Sequence, residues 1–131
     1  MPKPADNYVS FLEAKLATEI GPHEAQEEVD AGRAVILDVR SGESRAKMAI
    51  PNSLHIPRKE LPTRMKELPK DKIVVPYCSD IGCQSSLKAT IELRKAGYDA
   101  RHMVGGVRFW QEKGYPTVAP GAKPNVILAK K

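Results

Sequence analysis

The two cysteines of the chain, Cys78 and Cys83, stand five positions apart in one short polar segment. An apolar, β-branched stretch ends directly before Cys78, and a helical pattern begins a few residues after Cys83. A cysteine between a strand end and a helix N-terminus is a candidate nucleophile, because the helix dipole and unpaired N–H groups lower the pKa of a thiol. Successive loop amides can also hold an anion. We therefore predict a nucleophile at Cys78 and an active-site loop made of Ser79, Asp80, Ile81, Gly82, Cys83 and Gln84.

Cys83 has two interpretations that its position alone leaves open. As a small apolar residue it fills space in the loop. As a second thiol it attacks a persulfide or sulfenate on Cys78 and closes a disulfide, which would make the protein sensitive to oxidants. A metal site is disfavoured, because the gap between the cysteines is at the edge of zinc-ligand spacing and no second Cys/His pair accompanies them. We interpret His23, His55 and His102 as packing or surface residues and predict no metal and no cofactor.

Apolar runs alternate with amphipathic segments along the chain, and this alternation predicts where the cysteine loop lies. Near-continuous β-branched runs predict buried strands at 34–40 and 72–77. The other predicted elements are a helix at 7–17 with Val9, Leu12 and Leu16 on one stripe, a short strand at 19–21, a helix at 22–32, an amphipathic segment at 59–69, a helix at 87–97 with Leu87, Ile91 and Leu93 as its apolar positions, a strand at 99–104 and a helix at 105–114. This order is typical of an α/β fold with helices on both faces of a central parallel sheet of about five strands. Ligands bind beyond the carboxyl ends of such strands, where Cys78 is predicted.

Composition limits the class of protein further. The chain has 131 residues, of which 41% are hydrophobic and 28% charged, as expected for one globular domain that needs no disulfide or metal for stability. No apolar run approaches the roughly 20 residues of a membrane span, and the N-terminal residues lack the apolar region of a secretory signal. A net charge of +5 favours small anions, but dispersed basic residues and 5% aromatic content disfavour nucleic-acid binding. We expect a cytoplasmic protein in a reducing compartment that binds neither nucleic acid nor membrane.

Four segments follow one another in a distinctive order. They are Asp38-Val39-Arg40, the segment IPNSLHIP at 50–57, Cys78 after its strand, and Gly105-Gly106 followed by Trp110. In content and order they resemble motifs of the rhodanese family of sulfurtransferases. The chain therefore resembles a single rhodanese-like domain over 18–118. It would be preceded by an N-terminal extension with a short helix at 1–17 and followed by a C-terminal tail at 119–131, whose lysines are Lys123, Lys130 and Lys131.

The resemblance implies an enzyme of the thiosulfate:cyanide sulfurtransferase type. A small anionic donor such as thiosulfate or polysulfide gives its outer sulfur to Cys78, and the resulting persulfide passes that sulfur to cyanide, a thiol or a sulfur-carrier protein. Arg40 would hold the anionic donor, with Arg45 as a second candidate. The alternative for Arg40 is an ordinary ion pair at the strand end. The resemblance gives Asp38, Gly105 and Gly106 supporting roles, and at the glycines a side chain would block close backbone approach.

Three positions depart from the family's usual pattern. Cys83 stands where many members have an arginine, Ala49 stands where a histidine is common, and Asp80 adds a negative charge to the loop. That charge works against anion binding unless the side chain points outward. An alternative function is a sulfur-carrier or redox-sensing module that uses Cys78 and Cys83 without turnover. A phosphatase or arsenate reductase is disfavoured, because Gln84 occupies the position at which those relatives place an arginine.

Overall fold

Strands alternate with helices through the computed structural model, which describes residues 5–121 and 123–128, with side chains over 8–121. The strands are β1 (Glu19–Ile20), β2 (Ala34–Asp38), β3 (Leu54–His55), β4 (Ile73–Tyr77), β5 (His102–Met103), β6 (Thr117–Ala119) and β7 (Lys123–Leu128). The helices are α1 (Ala5–Thr18), α2 (Pro22–Asp30), α3 (Gly42–Lys47), α4 (Leu61–Arg64), α5 (Ser85–Lys95) and α6 (Gly106–Glu112), and 3₁₀ turns flank α4. Within these residues, no helix combines the length and the apolar character needed to cross a membrane.

Parallel pairing builds the centre of the fold. β2 lies between β3 and β4 and runs parallel to both, and β1 runs parallel to β5. An isolated parallel bridge between Val74 and Ala100 joins the two groups of strands. The predicted α/β class and parallel arrangement are confirmed. The parallel strands, however, form a three-stranded and a two-stranded sheet connected by one bridge rather than a single continuous sheet.

Helices cover both faces of the central strands. Adjacent residues of β2 and β4 point to opposite faces, and since both faces carry apolar side chains, each face packs against helices. One buried cluster includes Ile36 and Val75 with Ala25 of α2 and Trp110 of α6. The other includes Leu37 and Val74 with Leu61 of α4 and Leu93 of α5. Apolar residues on both faces explain why the strands are near-continuous apolar runs in the sequence.

Hydropathy identifies the buried residues of α5 only in part and predicts an apolar stripe on α1 that is exposed. Leu87 and Ile91 of α5 are 45% and 48% exposed, and the buried positions of this helix are Ser86, Ala89, Thr90 and Leu93. Small side chains on that face let the helix backbone approach β4. The predicted helix near the N-terminus is present as α1, but its apolar stripe is exposed, with Leu16 at 80%.

Two elements lie in segments for which the sequence predicts no helix or strand. α3 forms after β2, and its N-cap Ser41 accepts a hydrogen bond from the Ser44 amide at 3.2 Å. The predicted tail at 119–131 contains β7, which pairs antiparallel with β6 and includes Lys123. The predicted tail therefore contains a strand, whereas Lys130 and Lys131 lie outside the described residues. The division into domain, extension and tail stays a prediction.

Candidate active site

The cysteine loop begins where β4 ends. Cys78 follows the last strand residue and is 3% exposed, and Cys83 is half-buried five residues later. A disulfide joins the two residues, whose Cα atoms are 6.1 Å apart. The sequence predicts thiols in a reducing compartment, whereas the structure holds the oxidised pair. This bond is the one that the second interpretation of Cys83 requires.

Asp80 organises the loop between the two cysteines. Its Oδ1 accepts a hydrogen bond from the Gly82 amide at 2.9 Å, and its carbonyl accepts one from the Cys83 amide at 3.1 Å. The side chain therefore turns back onto its own loop instead of pointing outward. In the disulfide form, the amides of Gly82 and Cys83 both donate to Asp80. The negative charge of Asp80 therefore lies within the cysteine loop.

The N-terminus of α6 holds the other side of the loop. The Val107 amide donates to the Cys78 carbonyl at 2.9 Å, and the Arg108 amide donates to the Ser79 carbonyl at 3.0 Å. This close approach depends on Gly106, whose φ is +65° and at which a Cβ would lie 2.5 Å from the Cys78 carbonyl oxygen. The structure thus gives a physical reason for the glycine that the resemblance singled out.

Asp38 lies at the centre of a buried hydrogen-bond network. The network includes Tyr77, the last residue of β4, which directly precedes Cys78. Asp38 is fully buried at the end of β2, opposite Tyr77 of β4. Arg40 donates from Nε to Oδ1 and from Nη2 to Oδ2, each at 2.9 Å, and the Tyr77 hydroxyl donates to Oδ2 at 3.0 Å. Burial by itself would lower the pKa of Arg40. The hydrogen bonds to Asp38 and the negative charge of Asp38 together outweigh this effect, so the pKa of Arg40 is raised. Burial, aided by the Asp38 charge, raises the pKa of Tyr77 to about 12, which keeps this phenol a donor.

Arg45 also belongs to this network, because it donates to the same Asp38 carboxylate that Arg40 and Tyr77 contact. Its Nη1 lies 3.3 Å from Asp38 Oδ2 and donates to Ser53 Oγ at 3.0 Å, and its Nη2 donates to the Ser53 carbonyl at 2.7 Å. The guanidinium groups of Arg40 and Arg45 are therefore both committed to Asp38. These contacts favour the ion-pair alternative for Arg40 and give Arg45 the same partner, while donor binding by either arginine stays a prediction. The network also fixes Tyr77, the residue before Cys78.

Two adjacent cavities border the cysteine loop and share Asp80, Ile81, Val104 and Gly105 in their walls. The first, of about 300 Å³, is completed by Arg108, Phe109 and Glu112. The second, of about 240 Å³, is completed by Lys15, Glu19, Cys83 and His102. Cys83 thus borders a space large enough for a small molecule, although Cys78 itself is covered.

Arg108 and His102 are site residues that sequence reasoning missed. Arg108 is exposed and stands beside the loop that its amide binds. Its place just after Gly105-Gly106 was the available signal, because those glycines already predict close packing of this helix on the loop. His102 is half-buried, with Nδ1 2.9 Å from Ser86 Oγ. Burial lowers the pKa of His102, so its ring is neutral at neutral pH.

Comparison with known proteins agrees with this geometry. A family model described as a rhodanese-like domain matches residues 21–113. A sulfurtransferase of Allochromatium vinosum is 35% identical over 97 residues, which are 73% of this chain and 89% of that protein. A rhodanese-related protein from Thermoplasma volcanium has a TM-score of 0.70 at 31% identity, covering 77% of this chain and 97% of that one. A protein from Bacillus halodurans shares the fold, with a TM-score of 0.76 at 21% identity, over 98% of this chain and 95% of that one.

Proposed function

The chain belongs to the rhodanese family, and on that premise we propose that it is a sulfurtransferase that carries sulfane sulfur as a persulfide on Cys78. The observation that carries the proposal is the position of Cys78. It lies at the carboxyl end of β4, and its carbonyl is bound by the Val107 amide of α6. Two cavities border its loop, so a donor can approach from the side of the sheet at which α/β enzymes bind their ligands.

The proposed reaction has two displacements and starts from the reduced cysteines. The Cys78 thiolate attacks the outer sulfur of thiosulfate or polysulfide, and the donor's S–S bond breaks with loss of sulfite or a shorter polysulfide. An acceptor thiolate or cyanide then attacks the outer sulfur of the persulfide and restores the Cys78 thiolate. A low-molecular-weight thiol or a sulfur-carrier protein is the proposed cellular acceptor.

The direct test is the mass of the intact protein after exposure to a donor. The reduced Cys83→Ser protein, in which no second thiol of the loop can displace the new sulfur, is expected to gain about 32 Da, the mass of one sulfur, on the peptide that contains Cys78 after incubation with thiosulfate or polysulfide. Cyanide should remove this mass and release thiocyanate. If neither donor produces the adduct, the proposal is wrong.

Arg108 is the proposed cation for an anionic donor, in place of Arg40 and Arg45. Its side chain borders the cavity beside the loop, and no ion pair engages it among the residues whose side chains are described. Arg108→Gln is expected to raise the KM for thiosulfate about tenfold, because one charged hydrogen bond contributes about 1.5 kcal/mol. Steady-state kinetics would measure this effect. Arg101→Gln removes an arginine that pairs with Asp99 instead and should leave the KM unchanged. Equal KM values for the two variants would contradict the assignment.

Gly106→Ala is expected to lower kcat/KM for sulfur transfer about 100-fold, because a displaced nucleophile loses its orientation. The added Cβ would meet three backbone atoms of the cysteine loop, all closer than van der Waals contact. Gly32→Ala is the matched control, since Gly32 also has a positive φ, +76°, but faces open space. Both variants carry the backbone strain of about 1–2 kcal/mol, which thermal unfolding would measure, but only Gly106→Ala should lose activity. Equal activity in both would show that the loop tolerates the displacement.

A second candidate function is a redox-sensing or sulfur-carrying module without turnover of its own. The Cys78–Cys83 disulfide favours it, because a pair of cysteines that can close a disulfide can report the oxidant level. Under this alternative, mild peroxide removes both thiols together, and no donor and acceptor pair supports more than one turnover. Repeated turnover with thiosulfate and cyanide would favour the transferase instead.

A further inference from the structure

We propose that Cys83 discharges the persulfide on Cys78 and releases hydrosulfide, so that the protein is also a thiol-dependent sulfide-producing enzyme. This inference rests on the proposed function, because it requires the Cys78 persulfide. The disulfide in the structure would be the product of that discharge. The co-substrate would be a thiol or dithiol reductant, which reopens the disulfide for the next cycle.

The loop geometry places Cys83 where it can attack Cys78 without rearrangement of the chain. The turn closed by the Cys83 amide and the Asp80 carbonyl brings the two Cα atoms to 6.1 Å. The hydrogen bond from the Gly82 amide to Asp80 stiffens the same turn. A thiol held at this distance has a high effective concentration, so its attack competes with that of thiols from solution.

Burial distinguishes the two sulfur atoms of the persulfide. The inner sulfur of the persulfide is Sγ of Cys78, a residue that is 3% exposed in the disulfide form, so the outer sulfur is the more accessible of the two. An external acceptor therefore meets the outer sulfur, and attack there transfers that sulfur. Cys83 approaches from within the loop and can attack the inner sulfur, which makes the outer sulfur the leaving group. The Cys78 persulfide thus has two outcomes. Attack on the outer sulfur transfers that sulfur to an acceptor, whereas attack by Cys83 on the inner sulfur releases the outer sulfur as hydrosulfide.

The discharge balances without any further oxidant. The Cys83 Sγ forms a bond to Cys78 Sγ while the bond between Cys78 Sγ and the outer sulfur breaks. The outer sulfur leaves with that electron pair and receives the Cys83 proton, which gives hydrosulfide. The two cysteine sulfurs are oxidised to the disulfide, and the sulfane sulfur is reduced to sulfide.

The second cavity explains how the disulfide is reopened. Cys83 is half-buried and borders this space, together with Lys15 and His102, whereas Cys78 is covered. An incoming thiolate therefore attacks Cys83 and expels Cys78 as the thiolate. A second thiol then releases Cys83 from the mixed disulfide. Over one cycle, a donor sulfur and two thiols yield hydrosulfide and one external disulfide.

The test follows one turnover of the reduced protein after the reductant has been removed. With one equivalent of thiosulfate, the wild type should release about one equivalent of hydrosulfide and end two hydrogens lighter than the reduced protein. Cys83→Ser should keep the adduct of about 32 Da and release hydrosulfide at least 100-fold more slowly. Cys78→Ser measures background sulfide. Cys83→Ala is a second variant, and because the starting protein is reduced, neither substitution at Cys83 removes a bond from its fold.

The outcomes separate this inference from the proposed function. If the wild type and Cys83→Ser both form the adduct and keep it equally long, the discharge is wrong while the transferase stands. If the wild type loses the adduct as hydrosulfide and Cys83→Ser retains it, the discharge is supported. If neither protein forms an adduct, the persulfide proposal fails and this inference fails with it.

Discussion

Cys78→Ser is expected to abolish sulfur transfer, with a fall in kcat of at least about a thousandfold. A serine hydroxyl stays protonated at neutral pH and forms no persulfide, so neither displacement can begin. Thiocyanate formation from thiosulfate and cyanide measures the rate. The substitution is close to isosteric, and a buried hydroxyl costs about 1–3 kcal/mol, so the fold should survive.

The control for Cys78→Ser is Cys83→Ser, measured with the same excess of reductant. Cys83→Ser should still form the persulfide and pass its sulfur to cyanide, because cyanide attacks the outer sulfur directly. Thermal unfolding of both variants separates lost chemistry from lost structure. Substantial turnover by a folded Cys78→Ser protein would place the nucleophile at another residue.

Asp38→Asn is expected to lower the free energy of unfolding by about 3–5 kcal/mol, as when one partner of a buried ion pair is removed. The side chain of Asp38 is fully buried and that of Arg40 is 6% exposed, so the guanidinium cannot turn to water for compensation. The amide keeps one acceptor oxygen, so at the other position an NH₂ group faces either the two donors of Arg40 at Oδ1 or the donors of Arg40, Arg45 and Tyr77 at Oδ2. Urea denaturation monitored by circular dichroism would measure the loss.

Asp99→Asn provides the matched control for Asp38→Asn. Asp99 also pairs with two arginines, Arg94 and Arg101, but its side chain is 48% exposed. Exposed ion pairs contribute about 1 kcal/mol or less, so this variant should unfold close to the wild type. Equal losses in the two variants would mean that burial of the Asp38 network does not determine its contribution.

The strands and the position of Cys78 at a strand end could be predicted because each depends on neighbours in the sequence. β2 and β4 are runs of apolar residues that two-sided burial requires, and Cys78 follows β4 directly. α5 was placed correctly, but its buried face was not, because close approach to β4 selects the small residues Ala89 and Thr90 over Ile91. Hydropathy measures the preference of a side chain for water, not the distance between a helix and a sheet.

The partners of charged side chains could not be predicted in the same way. Arg40 follows β2 by two residues, and the direction of its guanidinium decides whether it meets a ligand or Asp38. That direction depends on the tertiary arrangement, in which Tyr77 and Asp38 face each other across the ladder. Arg108 was missed for a related reason, since it lies 29 positions after Ser79 and meets the loop only when α6 packs against it.

The hydrogen bonds between α6 and the cysteine loop have a spectroscopic consequence. The amide protons of Val107 and Arg108 are bound to the carbonyls of Cys78 and Ser79, and these hydrogen bonds would break in any opening that separates the loop from α6. Amide exchange with deuterated solvent proceeds through such openings, so the exchange rates of these two protons measure how often the loop separates from the helix. Their resonances would therefore follow the redox state of the loop from a helix that carries no cysteine.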